Sequence, residues 1–300
     1  MHASRYSDTM TLTDCKISKG GFSNRMTAQT ATATSAPSSH ILLREDRDQI
    51  AILTLNRPQA RNSLSEALLA TLNDALSSIA QDRTVRVVVL AANGPAFSAG
   101  HDLKELNAHR SGADRGRAYF KHIMSLCSGV MQQIVRLPQP VIASVHATAT
   151  AAGCQLVASC DLAVASQAAK FATPGVNIGL FCSTPMVALS RNVSRKHAMQ
   201  MLLTGDLISA DDAARIGLVN HVVPAGGERT AAIALAEKIA AKSMLTVKIG
   251  KEAFYRQAEM SLADAYDYAS QVMVENMLAR DAEEGISAFI EKRDAKWQDR

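Results

Sequence analysis

Residues Val141–Ser166 read VIASVHATATAAGCQLVASCDLAVAS. The apolar, β-branched run Val141–Val145 is a strand, Ala152–Ser159 is a helix, and Leu162–Ser166 is a second strand. Two strands joined through a helix lie parallel, and such crossovers are right-handed. The alternation continues outward. Ile50–Asn56 is a strand stopped by Arg57-Pro58, and Ser65–Gln81 carries Leu68, Leu69, Leu72, Leu76 and Ile79 at helical spacing behind Ser65. Val85–Ala91 (VRVVVLA) is nearly all β-branched, as expected of a strand covered on both faces. Tyr119–Leu137 is a long helix ended by Pro138-Gln139-Pro140. The fold class is therefore α/β with a parallel sheet.

From about Met186 onward the pattern turns helical. A helix begins at Ser209 and ends at Gly217, followed by a short strand over Leu218–Val223. Thr230–Ser243, Thr246–Ala258, Ser261–Ala279 and Asp281–Lys292 follow as amphipathic helices. Residues 226–300 thus form a C-terminal helical region on a core spanning 41–225, and such an appendage is expected to pack on a neighbouring subunit. Residues 1–40 are rich in Ser, Thr and Ala, poor in acids and without sustained periodicity. They read as a disordered or removable leader, compatible either with a transit peptide or with an over-long start before Met26.

The chain of 300 residues is 47% apolar, enough for a sizeable core. A net charge of +4, without a basic block interleaved with aromatics, argues against a nucleic-acid partner. The sequence has no apolar run long enough to span a membrane as a helix. Five cysteines (Cys15, Cys127, Cys154, Cys160, Cys182) show no metal-ligand spacing, so they read as reduced thiols in a cytoplasmic or matrix compartment, and no metal site is expected. No GxGxxG follows the first strand, which disfavours a dinucleotide oxidoreductase.

Two turns of small residues carry the chemistry. Phe97-Ser-Ala-Gly-His-Asp-Leu103 follows the strand Val85–Ala91, and Ala151-Ala-Gly-Cys-Gln155 follows Val141–Val145. Both sit at carboxyl ends of parallel strands, where open α/β sheets bind ligands. Each offers backbone N–H groups beside Gly or Ala, and two such donors on one carbonyl oxygen polarise it and stabilise an oxyanion. One turn into the second helix stands Gln155, an amide that cannot act as a proton base.

These segments, with Asn56-Arg-Pro-Gln-Ala-Arg-Asn-Ser-Leu64, Phe171-Ala-Thr-Pro174, Gly179-Leu180 and Glu284–Lys292, resemble the enoyl-CoA hydratase/isomerase (crotonase) superfamily over residues 41–297. Within it, SAGHDLKEL, AAGCQLVASCD and FATPGVN are similar to segments of one mitochondrial subgroup. The resemblance implies a β/α spiral core and an assembly as a homotrimer or dimer of trimers. The substrate it implies is an acyl-CoA thioester, coenzyme A being part of that substrate and no cofactor being bound covalently. The oxyanion donors would be the N–H groups of His101 and Ala152. Ala99, Gly100, Asp102 and Leu103 would cradle coenzyme A, Arg57 and Arg61 would lie near its phosphates, and Phe289 and Lys292 would reach it from the last helix.

The resemblance breaks where the family's hydratases hold water between two glutamates, since this chain has Gln155 and Gly175 there. Hydration needs a base for water and an acid for the α-carbon, and neither residue supplies one. His101, on the donor loop and titrating near neutrality, is the leading substitute. Decarboxylation of a malonyl-type thioester needs only an enolate to be stabilised, with no base for C–H abstraction, so decarboxylase- or hydrolase-type chemistry is the expected replacement for hydration. The competing reading is a non-catalytic acyl-CoA-binding protein. Asn177 and Ser183 are possible water or carboxylate ligands, and Glu105 lies near the rim. His146 shapes the turn, and Met124, Met131, Met199 and Met201 are read as core.

Overall fold

The computed structural model describes residues 40–300, so the leader and Cys15 lie outside the described residues. Nine strands occur there: β1 (Leu42–Arg47), β2 (Ile50–Leu55), β3 (Val87–Ala92), β4 (Val141–Val145), β5 (Ala149–Thr150), β6 (Leu162–Ser166), β7 (Lys170–Ala172), β8 (Ile208–Ser209) and β9 (His221–Val223). The helices are α1 (Glu66–Gln81), α2 (Leu103–Ala108), α3 (Arg117–Arg136), α4 (Ala152–Ser159), α5 (Pro185–Asn192), α6 (Arg195–Thr204) and α7 (Ala210–Arg215). Four more close the chain: α8 (Glu228–Ala240), α9 (Met244–Gln257), α10 (Leu262–Met277) and α11 (Arg280–Glu291).

The main sheet has the order β1-β2-β3-β4-β6-β9, parallel throughout except for the antiparallel edge pair β1–β2. Strand order follows chain order, so each crossover advances one position and the sheet winds as a spiral. A second sheet joins β5, β7 and β8.

Period-two alternation divides the main sheet between two cores. Ile50, Ile52, Val87, Val89, Ile142 and Val164 pack against Ala232, Ile233, Ala236 and Ala240 of α8. Leu53, Leu55, Val88, Leu90, Ala143 and Ala165 face the cluster built by α1, α3 and α4. Small alanines on α8 let it lie close to the sheet, so this helix of the C-terminal region belongs to the core packing. The β3 run needs apolar residues at every position because it is covered on both sides.

The N-caps follow local chemistry. Ser65 Oγ accepts from Leu68 N and Ser209 Oγ from Asp212 N. Ser243, read from sequence as the last residue of a helix, instead caps α9 by accepting from Thr246 N. Strand β1 escapes the sequence pattern because LLREDR is charged and exposed, the composition that protects an edge from further pairing. Met131 and Met201 are buried, whereas Met199 is exposed, a correction to its reading as core. Its neighbour two positions on takes the inward face of α6.

Candidate functional site

Backbone pairing brings three distant segments together. Thr150 N donates to Ser98 O at 2.9 Å, Ala99 N to Arg61 O at 3.0 Å and Leu64 N to Gly100 O at 2.7 Å. Leu64 and His101 form an isolated parallel bridge, completed by Asp102 N donating to Leu64 O at 3.3 Å. In a parallel bridge Gly100 O and Asp102 N face the partner, so the His101 N–H faces away from it. Among the described residues that N–H donates to no protein group, and neither does the N–H of Ala152, the first residue of α4.

Glycine permits this approach at two places. Gly100 has φ +89°, and a Cβ there would stand 2.9 Å from Ala151 Cβ and 3.2 Å from Ala152 N. A Cβ at Gly153 would stand 2.3 Å from Ser98 O. The turn into α4 is held by Ala151 at φ +50°, ψ −119°, a backbone region L-residues rarely occupy. Its own N–H donates to Ala172 O on β7, which over-determines the conformation. Together, the loop after β3 and the first turn of α4 are in direct contact, each with an unused N–H.

Two side chains near this junction have polar atoms without partners among the described residues. Both ring nitrogens of His101 and Oε1 of Gln155 are buried and unpaired. Gln155 stands three residues from Ala152, on the same side of α4. Burial holds the His101 imidazole below its ordinary value of 6.5, so the ring is neutral at pH 7. A lowered folded-state pKa means the unfolded chain takes up this proton first. The stability that neutral His101 contributes is therefore complete above pH 6.5 and is lost as pH falls below it. Thermal melts from pH 7 to pH 5 should fall less for His101→Asn than for the wild type. Equal slopes would contradict the burial argument.

Gly175 lacks more than a carboxylate. A Cβ there would meet Cys182 Sγ and Leu180 O, both at 2.9 Å, and Gly175 N donates to Cys182 Sγ at 3.3 Å. The Leu180–Cys182 segment fills the space a longer side chain at 175 would need. Asn177 and Ser183 are exposed, and Ser183 Oγ donates to Phe181 O, so the structure does not gather them with Gln155. The cysteines behave as buried hydrophobes: burial pushes the Cys127 and Cys154 thiols up to about 12 and raises Cys160 and Cys182.

Arg57 and Asp102 hold the loop. Asp102 Oδ2 accepts from Arg57 Nη2 at 3.1 Å and from Ser63 Oγ at 3.0 Å, while Arg57 Nη1 donates to Ser63 O at 2.6 Å. Burial works to raise the Asp102 pKa, but Ser63 and Arg57 outweigh it and hold the carboxyl below the usual range. The guanidinium read from sequence as a phosphate ligand is thus engaged with the protein, whereas Arg61 sits in a left-handed turn, its side chain making no hydrogen bond among the described residues. Glu105 accepts from Glu66 N at the start of α1, and His146 Nε2 donates to Gly94 O at 2.7 Å. Leu103 is exposed; Phe289 on α11 is 86% exposed and Lys292 is that helix's C-cap.

Sequence reasoning overlooked Asn62. It is fully buried, donates from Nδ2 to Asn93 O and Ala96 O, both at 2.8 Å, and accepts from Arg57 N at 2.8 Å. It pins the donor loop from below, and the Arg-Asn-Ser tripeptide was its only signal.

The family model described as enoyl-CoA hydratase/isomerase matches residues 45–300. The chain belongs to the enoyl-CoA hydratase/isomerase family. It is 47% identical to the mitochondrial enoyl-CoA hydratase domain-containing protein 3 of Rattus norvegicus, over 92% of this chain and 90% of that protein. Among solved structures, an enoyl-CoA hydratase from Mycobacterium smegmatis superposes with a TM-score of 0.83 at 53% identity, covering 86% of this chain and 99% of that one. The human enoyl-CoA hydratase domain-containing protein 3 superposes at 0.82 with 46% identity, covering 86% of this chain and all of its own. The spiral sheet is accordingly the crotonase fold. This family member has no helix among its described residues long and apolar enough to cross a membrane, and no group of three His, Cys, Asp or Glu there that could hold a metal ion.

Proposed function

We propose that the protein binds acyl-CoA thioesters and stabilises negative charge on the thioester oxygen through the N–H groups of His101 and Ala152. The observation that carries this reading is the pair of unused N–H donors on two segments in van der Waals contact. Donors of this kind, fixed before the reaction, are worth about 10²–10³ each in rate. Ala99, Gly100, Asp102 and Leu103 would line the coenzyme A cleft with Arg61, Arg57 acting through its hold on Asp102. Exposed apolar side chains on α10 and α11, among them Tyr266, Met273, Met277 and Phe289, would supply the surface for a homotrimer or dimer of trimers, from which Phe289 and Lys292 would reach a neighbour's coenzyme A. The mitochondrial names of several relatives favour a mitochondrial matrix location, or the cytoplasm if the chain is bacterial.

Hydration should be weak. Gln155 and Gly175 offer no acid or base, and burial keeps the His101 ring neutral. The chemistry left is of the hydrolase or decarboxylase type, in which an electron pair moves onto the thioester oxygen without C–H abstraction by a carboxylate. The same two absences favour a second reading, a non-catalytic acyl-CoA-binding protein of fatty acid metabolism.

A panel of crotonyl-, malonyl-, 3-hydroxybutyryl- and butyryl-CoA, measured for binding and turnover, separates these readings. The expected result is binding with crotonyl-CoA hydration at least a thousandfold below that of a two-glutamate hydratase. Gln155→Glu should raise hydration by at least tenfold, and adding Gly175→Glu should give no further gain because Cys182 and Leu180 occupy its space. Absence of all thioester binding would overturn the proposal.

A further inference from the structure

The two donors share a local feature. Each N–H belongs to the peptide that follows a residue at positive φ: Gly100 at +89° precedes His101, and Ala151 at +50° precedes Ala152. The first is glycine, which adopts that backbone freely. The second is not. With ψ at −119°, Ala151 has the conformation of the first central residue of a type II′ turn, a place that Gly, Asn and Asp dominate.

Hydrogen bonds orient this turn on every side. Ala151 N donates to Ala172 O at 2.9 Å, Gln155 N to Ala151 O at 3.0 Å and Thr150 N to Ser98 O at 2.9 Å. All three involve backbone atoms alone, so glycine at 151 would make them equally well and without strain. Strained residues of this kind gather at binding sites, where the strain is part of how the site works. What alanine adds over glycine is one methyl group. A Cβ built at Gly100 would stand 2.9 Å from Ala151 Cβ, so the gap between the two residues holds one methyl and no second. Ala151 supplies that methyl, and Gly100 leaves the room for it.

The contact of Ser98 with Gly153 also joins the two segments, but Ser98 lies three residues before the His101 donor. Gly100 and Ala151 each adjoin a donor. The methyl is therefore the spacer nearest to both N–H groups. Oxyanion donors act only within a narrow distance of the oxygen, about 2.7–3.1 Å, so their separation matters as much as their direction. Without the methyl, the two backbones are free to close on each other.

We infer that Ala151 is a positioning residue: its methyl, held in strained backbone against Gly100, sets the separation at which the His101 and Ala152 N–H groups both reach one thioester oxygen. This rests on the acyl-CoA reading above and adds the part that sets its geometry.

Butyryl-CoA and its thioether S-butyl-CoA differ only in carrying a carbonyl or a methylene next to sulfur. The ratio of their affinities reports how well the donors meet the oxygen. Calorimetric titration of the full-length wild type should show butyryl-CoA bound about tenfold more tightly, as expected of two net hydrogen bonds. Ala151→Gly releases strain, which offsets the freedom glycine gains in the unfolded chain, so this variant should melt no lower than the wild type. Its affinity ratio should nevertheless fall to about twofold or less, through weaker binding of butyryl-CoA with S-butyl-CoA unchanged. Ala151→Ser keeps a β-carbon and should keep the ratio. A ratio preserved in Ala151→Gly overturns the inference, as does one lost in Ala151→Ser. A ratio lost together with a lowered melting temperature also overturns it, since a merely structural alanine would give that result. Wild-type protein that binds both ligands alike would instead sink the oxyanion reading, and this inference with it.

Discussion

Gly153→Ala is expected to lower stability by about 3 kcal/mol or more and to abolish acyl-thioester binding. Gly153 lies in the first turn of α4 with ordinary helical backbone, where alanine is intrinsically favoured over glycine by roughly 1 kcal/mol. The sign is decided by contact. The new methyl would stand 2.3 Å from Ser98 O, 2.7 Å from Ser98 Cβ and 2.8 Å from Ser98 C, and backbone on both sides cannot yield as a flexible side chain would. Ser98 O is also the acceptor for Thr150 N, and Ser98 Oγ donates to Asn62 O, so displacing Ser98 loosens the whole junction. Overpacking of this kind typically costs 1–3 kcal/mol, occasionally more, and a backbone clash lies at the upper end. The control is Gly129→Ala on α3, where a Cβ meets nothing within 4 Å and stability should rise by a few tenths to about 1 kcal/mol. Chemical denaturation of both variants checks the pair; a neutral Gly153→Ala would mean that the donor loop and α4 are not in contact.

Lys251→Met is expected to cost about 3–5 kcal/mol, the usual penalty for removing one member of a buried ion pair. Lys251 on α9 donates to Asp161 Oδ2 at 2.7 Å, to Ile134 O at 3.0 Å and to Gln139 O at 3.1 Å. Ile134 O is one of the last carbonyls of α3, which the helix itself leaves unpaired. Asp161 also accepts from Val141 N and from Tyr255 Oη one turn further along α9. A single ammonium thus joins the end of α3, the turn that leads into β4 and the residue following the cap of α4 to the C-terminal helices. Burial works to lower the Lys251 pKa and Asp161 opposes it, the net direction being downward. Methionine preserves volume but strands the carboxylate and two carbonyls. Urea unfolding should show the loss, and Asp161→Asn in the Lys251→Met background should recover part of it by removing the stranded charge. A loss under 1 kcal/mol would contradict the buried-network account.

The sequence speaks most clearly where a residue's role is set by its neighbours in the chain. The β3 run, the apolar stripe of α1 and the bounds of α4 are local patterns, and they appear as read. The strands β5, β7 and β8 are two or three residues long and exist only through pairing with distant segments, so no periodicity announces them. The site divides in the same way. Gln155 and His101 are legible because their residue types conflict with the surrounding motif. Asn62 and the closure of Gly175 by Cys182 depend on which atoms lie within a few ångströms across the fold, and spacing does not encode that. Arg57 shows the converse: its position in the motif is legible, but its engagement with Asp102 is a long-range contact.

The account rests on two backbone N–H groups meeting one thioester oxygen where no carboxylate stands. A crystal structure of the protein with a non-hydrolysable acyl-CoA analogue bound tests this most directly. The thioester oxygen should lie about 2.7–3.1 Å from both His101 N and Ala152 N, with the Gln155 amide facing the acyl carbons. An analogue bound with its carbonyl oxygen away from both nitrogens would contradict it.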